Sequence, residues 1–185
     1  MTYADYNNLF QQILDSEHPH APYDAADYLH YTRLNQTRMR RWDRQLTLNN
    51  QLVDALKKLD QKQHWIIITE PWCGDAAHIL PFLMQLAACN PLISYDIQLR
   101  DSPPFLIESY LTNGAKSIPK LIVRDEHGAD IFNWGPRPKP AQQLRDTLKA
   151  ADASYDVINN ALQQWYNQDK GVSLCEELLT RYYTL

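Results

Sequence analysis

The 185-residue chain predicts an α/β fold: a mixed central sheet of about four strands flanked by helices, with helical extensions at both ends. Three observations predict it. From residue 63 to about 151, β-branched apolar runs alternate with amphipathic helical segments, which implies a sheet covered on both faces. The last two strand-like runs are joined by a turn sequence and close the sheet as an antiparallel hairpin. Before Gln63 and after residue 152 only helical periodicity occurs.

In chain order, residues 3–15 place Tyr6, Leu9, Phe10, Ile13 and Leu14 on one helical face, and the Pro19 and Pro22 region ends that helix. A second helix spans about 25–46 and a third continues from Leu52 to about 62. The core then reads strand 65–69, helix 74–89, strand 93–99, helix 104–113, strand 119–124, strand 130–134 and helix 139–150. Asp125-Glu126-His127-Gly128 is the hairpin turn. A helix over 155–166 ends in a glycine C-cap turn at Lys170-Gly171, and 172–183 forms the last helix.

Composition narrows the function. A 44% hydrophobic share supports a real core, and a net charge of −4 argues against a generic polyanion binder. The basic run Arg38-Met39-Arg40-Arg41-Trp42-Asp43-Arg44 carries no reader motif, so it reads as a solvated helix face or as intramolecular ion pairs, and no nucleic acid is expected. No stretch approaches the ~20 apolar residues of a membrane span, and the first residues lack a basic leader and an apolar signal core; a cytoplasmic location without membrane contact follows as the expectation. The three cysteines, at 73, 89 and 175, and the six histidines show no ligand spacing, so no metal is expected. Cys89, about 24 Å along the helix from Cys73, reads as a small buried hydrophobe, and Cys175 reaches Cys73 only if the tail folds over the site.

The run Trp65-Ile66-Ile67-Ile68 empties into Thr69-Glu70-Pro71-Trp72-Cys73-Gly74-Asp75-Ala76, which puts a cysteine at the start of an amphipathic helix. Unpaired N–H groups and the positive end of the helix dipole favour thiolate there, so Cys73 is expected to be accessible and partly ionised. Asp75 opposes that charge by about 1–3 kcal/mol at surface-like dielectric. Lys120 and Arg137 stand as two cations able to offset it, although each also reads as a solvated surface residue. His78 points about 140° around the helix from Cys73 and is a poor general base.

Trp-Cys-Gly, followed by Pro81 and then by Ser117-Ile118-Pro119-Lys120-Leu121 and a strand–turn–strand, resembles the thioredoxin superfamily over residues 63 to 151. Leu111-Thr112-Asn113-Gly114 and Trp134-Gly135-Pro136-Arg137-Pro138 further resemble a group of bacterial thioredoxin-like proteins. The resemblance implies a thioredoxin-like core over 63–151, a helical N-terminal extension over 1–62 packed on it, and a C-terminal helical extension over 152–185, together one compact unit. It implies a cis bond before Pro119 facing the thiol, with Ile118 and Pro119 pairing to a bound segment and with Trp72, Gly74 and Asp75 around it. Two departures stand out. Ala76 replaces the resolving cysteine, so classical dithiol activity is not expected. Ile67 occupies the strand position where thioredoxins carry a buried aspartate. Two functions remain: monothiol thiol–disulfide exchange through Cys73 on a protein or peptide, with no cofactor unless glutathione or another small thiol resolves the intermediate, or a redox-inactive module holding a segment in the cis-proline groove.

Overall fold

The computed structural model describes residues 1–184; the last residue of the expected C-terminal extension lies outside them. Three helices come first, α1 (Tyr3–Asp15), α2 (Ala26–Gln45) and α3 (Asn50–Lys57). Then follow β1 (Gln63–Thr69), α4 (Gly74–Ala87), β2 (Ile93–Leu99), β3 (Lys120–Arg124), β4 (Asp130–Trp134), α5 (Lys139–Ala150), α6 (Tyr155–Asp169) and α7 (Val172–Tyr183). No strand precedes Gln63 among the described residues.

The sheet order is β2-β1-β3-β4, with β1 parallel to β2 and antiparallel to β3, and β4 antiparallel to β3. A parallel β1–β2 pair needs a crossover, and α4 supplies it. Alternation along β1 divides the core: Trp65 and Ile67 enter a large cluster with Leu80, Phe82, Leu121 and Val123. Ile66 and Ile68 enter a smaller one with Ile122, Ile107, Ile118, Ala76 and Cys73. The period-2 geometry of strands thus sends Cys73's neighbours to one face and the bulk of the core to the other.

The mixed α/β fold and its four-stranded sheet follow the sequence closely; α3 ends at Lys57 and not near 62, and one segment differs in kind. The helix expected over 104–113 is a single 3-10 turn, Leu106–Ser109. Phe105 is left-handed (φ 56°), outside the helical region, and breaks the segment directly after Pro104. Asn113 (φ 50°) and Gly114 (φ 76°) then turn the chain, and Thr112 and Ala115 form an isolated antiparallel bridge instead of a helical end.

Two register details position the site. Leu121 pairs with Trp134, so the chain entering β3 and the chain leaving β4 lie side by side. Gly135 (φ 119°) sits so close that a Cβ there would come within 2.3 Å of the Pro119 carbonyl oxygen. At the other end of α6, Lys170 and Gly171 are both left-handed, and a Cβ at Gly171 would meet the Phe82 ring at 2.3 Å. That tight turn lays α6 against α4 and brings Tyr166 to the α4 N-terminus.

Candidate functional site at the head of the fourth helix

Cys73 is the N-cap of α4, but its side chain accepts no capping bond. Its thiol donates to the Ile118 carbonyl at 3.4 Å, across the cis Ile118–Pro119 peptide bond, and only 6% of the residue is exposed. Burial first, and the Asp75 charge second, push the thiol up to about 12; the Ala76 and Asp75 N–H groups and the Arg137 guanidinium pull the other way without prevailing. The expectation of an accessible, partly ionised thiol is corrected here. The dipole at the helix terminus favours thiolate, but desolvation is the larger effect for a thiol buried in one cluster with Ile66, Ile68 and Ile118.

Asp75 is held in a buried pair. Arg137 grips both carboxylate oxygens, Nε to Oδ1 at 3.2 Å and Nη2 to Oδ2, and the Tyr166 hydroxyl donates to Oδ1 at 2.8 Å. Arg137 also donates to Gln142 Oε1 at 2.7 Å. The solvated reading of Arg137 gives way to a pair whose two side chains are each 12% exposed. Lys120 is likewise not at the surface: it is 3% exposed, its ammonium donates to Thr112 Oγ1 at 2.7 Å and to the Gly135 carbonyl at 3.4 Å, and burial lowers its pKa. It ties the loop before β3 to the loop after β4 rather than serving Asp75.

His78 bonds elsewhere, as its helical angle requires. Its Nδ1 accepts from the Trp42 indole at 2.9 Å and its Nε2 stands 2.9 Å from Gln163 Oε1, which fixes the Nε2–H tautomer. The ring stacks on Tyr166 at 4.5 Å, and burial lowers its pKa to about 4. A chain of contacts therefore runs from Trp42 through His78 and Tyr166 to Asp75.

Trp72 lines a cleft of about 1100 Å³ together with Cys73, Gly74, Asp75 and Ile118. The Arg100 guanidinium covers one ring face at 4.6 Å and Tyr28 meets it edge-on at 5.5 Å, while its indole N–H is buried without a partner. Three neighbours escaped the sequence reading. Glu70, 5% exposed, accepts from the Tyr23 hydroxyl at 3.2 Å and from the Asp101 N–H at 3.0 Å. Asn35, fully buried, donates to the Pro71 carbonyl at 3.0 Å and accepts from Arg38 at 2.8 Å, which brings Arg38 into the cleft within 3.7 Å of where a Gly74 Cβ would stand. The basic run on α2 is correspondingly less solvated than its composition suggests, since Arg41 also lies over Trp42 at 4.7 Å and donates to Asn167 at 2.6 Å. A polar residue three positions before an arginine was the only available signal.

The other thiols are apart from this site. Cys89 is half-buried, its thiol donating to the Gln85 carbonyl at 3.3 Å, and Cys175 is buried in the large cluster with the Asn49 N–H against its sulfur. Among the described residues no three His, Cys, Asp or Glu side chains converge for a metal ion, and no helix is long and apolar enough to cross a membrane.

No curated protein matches the chain. Among solved structures it is similar over 100% of its length, and 99% of the other chain, to an HIV epitope scaffold (16% identity, TM-score 0.55). It is also similar to PA1234 from Pseudomonas aeruginosa, a protein of unknown function (17% identity, 93% and 99% covered, TM-score 0.47). A third similarity is to the NTD_N/C domain of the alkylhydroperoxide reductase AhpF from Enterococcus faecalis (19% identity, 54% and 47% covered, TM-score 0.41). A thioredoxin family model matches residues 21–149, from just before α2 to the end of α5. The chain belongs to the thioredoxin family.

Proposed function

We propose that this thioredoxin-fold protein is a redox-inactive binding module that holds an extended protein segment in the groove beside the cis-proline loop. The observation that carries the reading is the state of Cys73: buried, protonated and donating its hydrogen bond to Ile118. A thiol pushed up to about 12 is ionised to about one part in 10⁵ at pH 7, and only thiolate attacks a disulfide. The groove retains what strand-like pairing needs. The Ile118 N–H has no protein acceptor among the described residues, and Ile118 lines the open cleft. Trp72, Gly74, Asp75 and Ile118 are then the groove's walls and Cys73 its floor, while Pro119 is buried and sets the backbone of Ile118 from behind the wall.

Monothiol exchange is the second reading, favoured by the Asp75 and Ala76 N–H groups that face the sulfur. In that cycle the Cys73 thiolate attacks a partner disulfide, the partner's thiol leaves, and a small thiol such as glutathione then releases the mixed disulfide. Alkylation of Cys73 by iodoacetamide against pH, in a Cys89→Ser/Cys175→Ser background, separates the two. The binding reading expects a rate still rising above pH 10. A midpoint below ~8.5 overturns it in favour of exchange.

A further inference from the structure

The cleft around Cys73 differs in charge from the chain that forms it. The whole protein carries a net −4, yet the cleft is lined by seven Lys and Arg against three Asp. One of those carboxylates, Asp75, is already neutralised by Arg137. Arg100, Lys116 and Arg145 reach carboxylates at 2.6, 2.8 and 3.5 Å. Arg38, Lys139 and Lys149 have no carboxylate partner among the described residues.

These cations are arranged on two walls. On one, Asn35 fixes Arg38 against the turn that carries Cys73, with its guanidinium bonded at one nitrogen only. On the other, Lys139, Arg145 and Lys149 line the cleft from α5. Ten residues of helix separate the first from the last, about 15 Å at 1.5 Å per residue. A row of that length spans four or five residues of extended chain at about 3.3 Å each, and exceeds the reach of a single small anion. Ile118, whose N–H has no protein acceptor among the described residues, lines the same cleft and leaves a main-chain donor that a peptide backbone can use.

We propose, resting on the binding reading above, that the segment held in this groove is acidic: an extended peptide whose Asp and Glu side chains meet Arg38 on one wall and Lys139 and Lys149 on the other. Like charges of the whole molecule keep such a partner from binding elsewhere on the surface, and the cleft's opposite sign directs it to the groove.

The test is fluorescence anisotropy on the full chain with three fluorescein-labelled probes: a dodecapeptide of alternating Glu and Thr, its Gln–Thr counterpart, and the oligonucleotide dT12. The Glu peptide is expected to bind at least tenfold more tightly than the Gln peptide, and to weaken at least fivefold between 50 and 300 mM NaCl. Arg38→Gln, and separately Lys139→Gln/Lys149→Gln at exposed positions that leave folding intact, should each weaken it at least fivefold. Inorganic phosphate at 10 mM should not displace it. Equal affinity for the two peptides, both weakened by a groove-filling Ser117→Trp, overturns the acidic segment while keeping the groove. Binding of the Glu peptide that ignores Ser117→Trp overturns the groove reading itself. Tighter binding of dT12, or full displacement by phosphate, overturns the peptide in favour of a nucleic acid or a free anion. Absence of any binding overturns both readings.

Discussion

Replacing Asp75 by Asn tests the electrostatic account of the thiol. The carboxylate lies two residues from Cys73, at the head of the same helix, and is held by Arg137 and Tyr166. At roughly 6 Å and an effective dielectric of about 20, one unit charge acts on a thiolate with about 2.8 kcal/mol, or about two pKa units. Asp75→Asn removes that repulsion and releases the Arg137 guanidinium, so Cys73 should fall from about 12 by two units or more. Alkylation at pH 8 should then be at least 100-fold faster than in the wild type. Arg137→Gln acts in the opposite sense and slows it. The double variant Asp75→Asn/Arg137→Gln should return to within about one unit of the wild type, because burial alone then sets the thiol. Either single variant leaves a half of a buried pair uncompensated and should cost about 2–4 kcal/mol in urea unfolding. A double variant as reactive as Asp75→Asn alone would refute the reasoning: the gain would come from opening the site and not from charge.

Three further outcomes follow from the same geometry. Because the folded thiol stands above its unfolded value, its stabilisation is complete below pH ~8.5 and is lost as pH rises toward about 12; between pH 8 and 10 the wild type should lose about 2 kcal/mol relative to Cys73→Ala, measured by urea unfolding. His78, lowered to about 4, acts at the other end: its stabilisation is present above pH ~6.5 and fades as pH falls, by about 2 kcal/mol at pH 5, and His78→Gln should remove that slope. Gly135→Ala adds a Cβ 2.3 Å from the Pro119 carbonyl in a left-handed region, and should lower stability by 2 kcal/mol or more while shifting the Ile118 and Cys73 amide resonances. Unchanged melting and spectra for Gly135→Ala would mean that the two loops do not support each other.

Most of the fold is legible in the chain. The spans 93–99, 130–134, 139–150 and 172–183 can be read from periodicity and turn residues to the residue, because each has a Gly, Pro or Asp within two residues of at least one end. The segment after β2 is not, since its apolar spacing resembles a helix while the left-handed Phe105, set by tertiary context, interrupts one. At the site, the identity of Cys73, Asp75 and Pro119 is local information. Their environment is not. Whether Arg137 is solvated or clamped on Asp75 depends on the β3–β4 register, and whether Arg38 faces water or the cleft depends on Asn35 reaching Pro71 across the packed α2–α4 interface. The thiol itself shows the same division: a helix terminus is visible in sequence, whereas desolvation is a property of the assembled core.

The binding account turns on whether Cys73 exchanges with disulfides in the folded protein. Adding 4,4′-dithiodipyridine at pH 7.5 and following each cysteine by mass spectrometry measures this directly. The account predicts that half-buried Cys89 reacts first, that Cys73 reacts at least 100-fold more slowly, and that Cys73 matches it only in 6 M guanidinium. Rapid mixed-disulfide formation at Cys73 in the native protein, faster than at Cys89, would contradict it and make this a monothiol exchange protein.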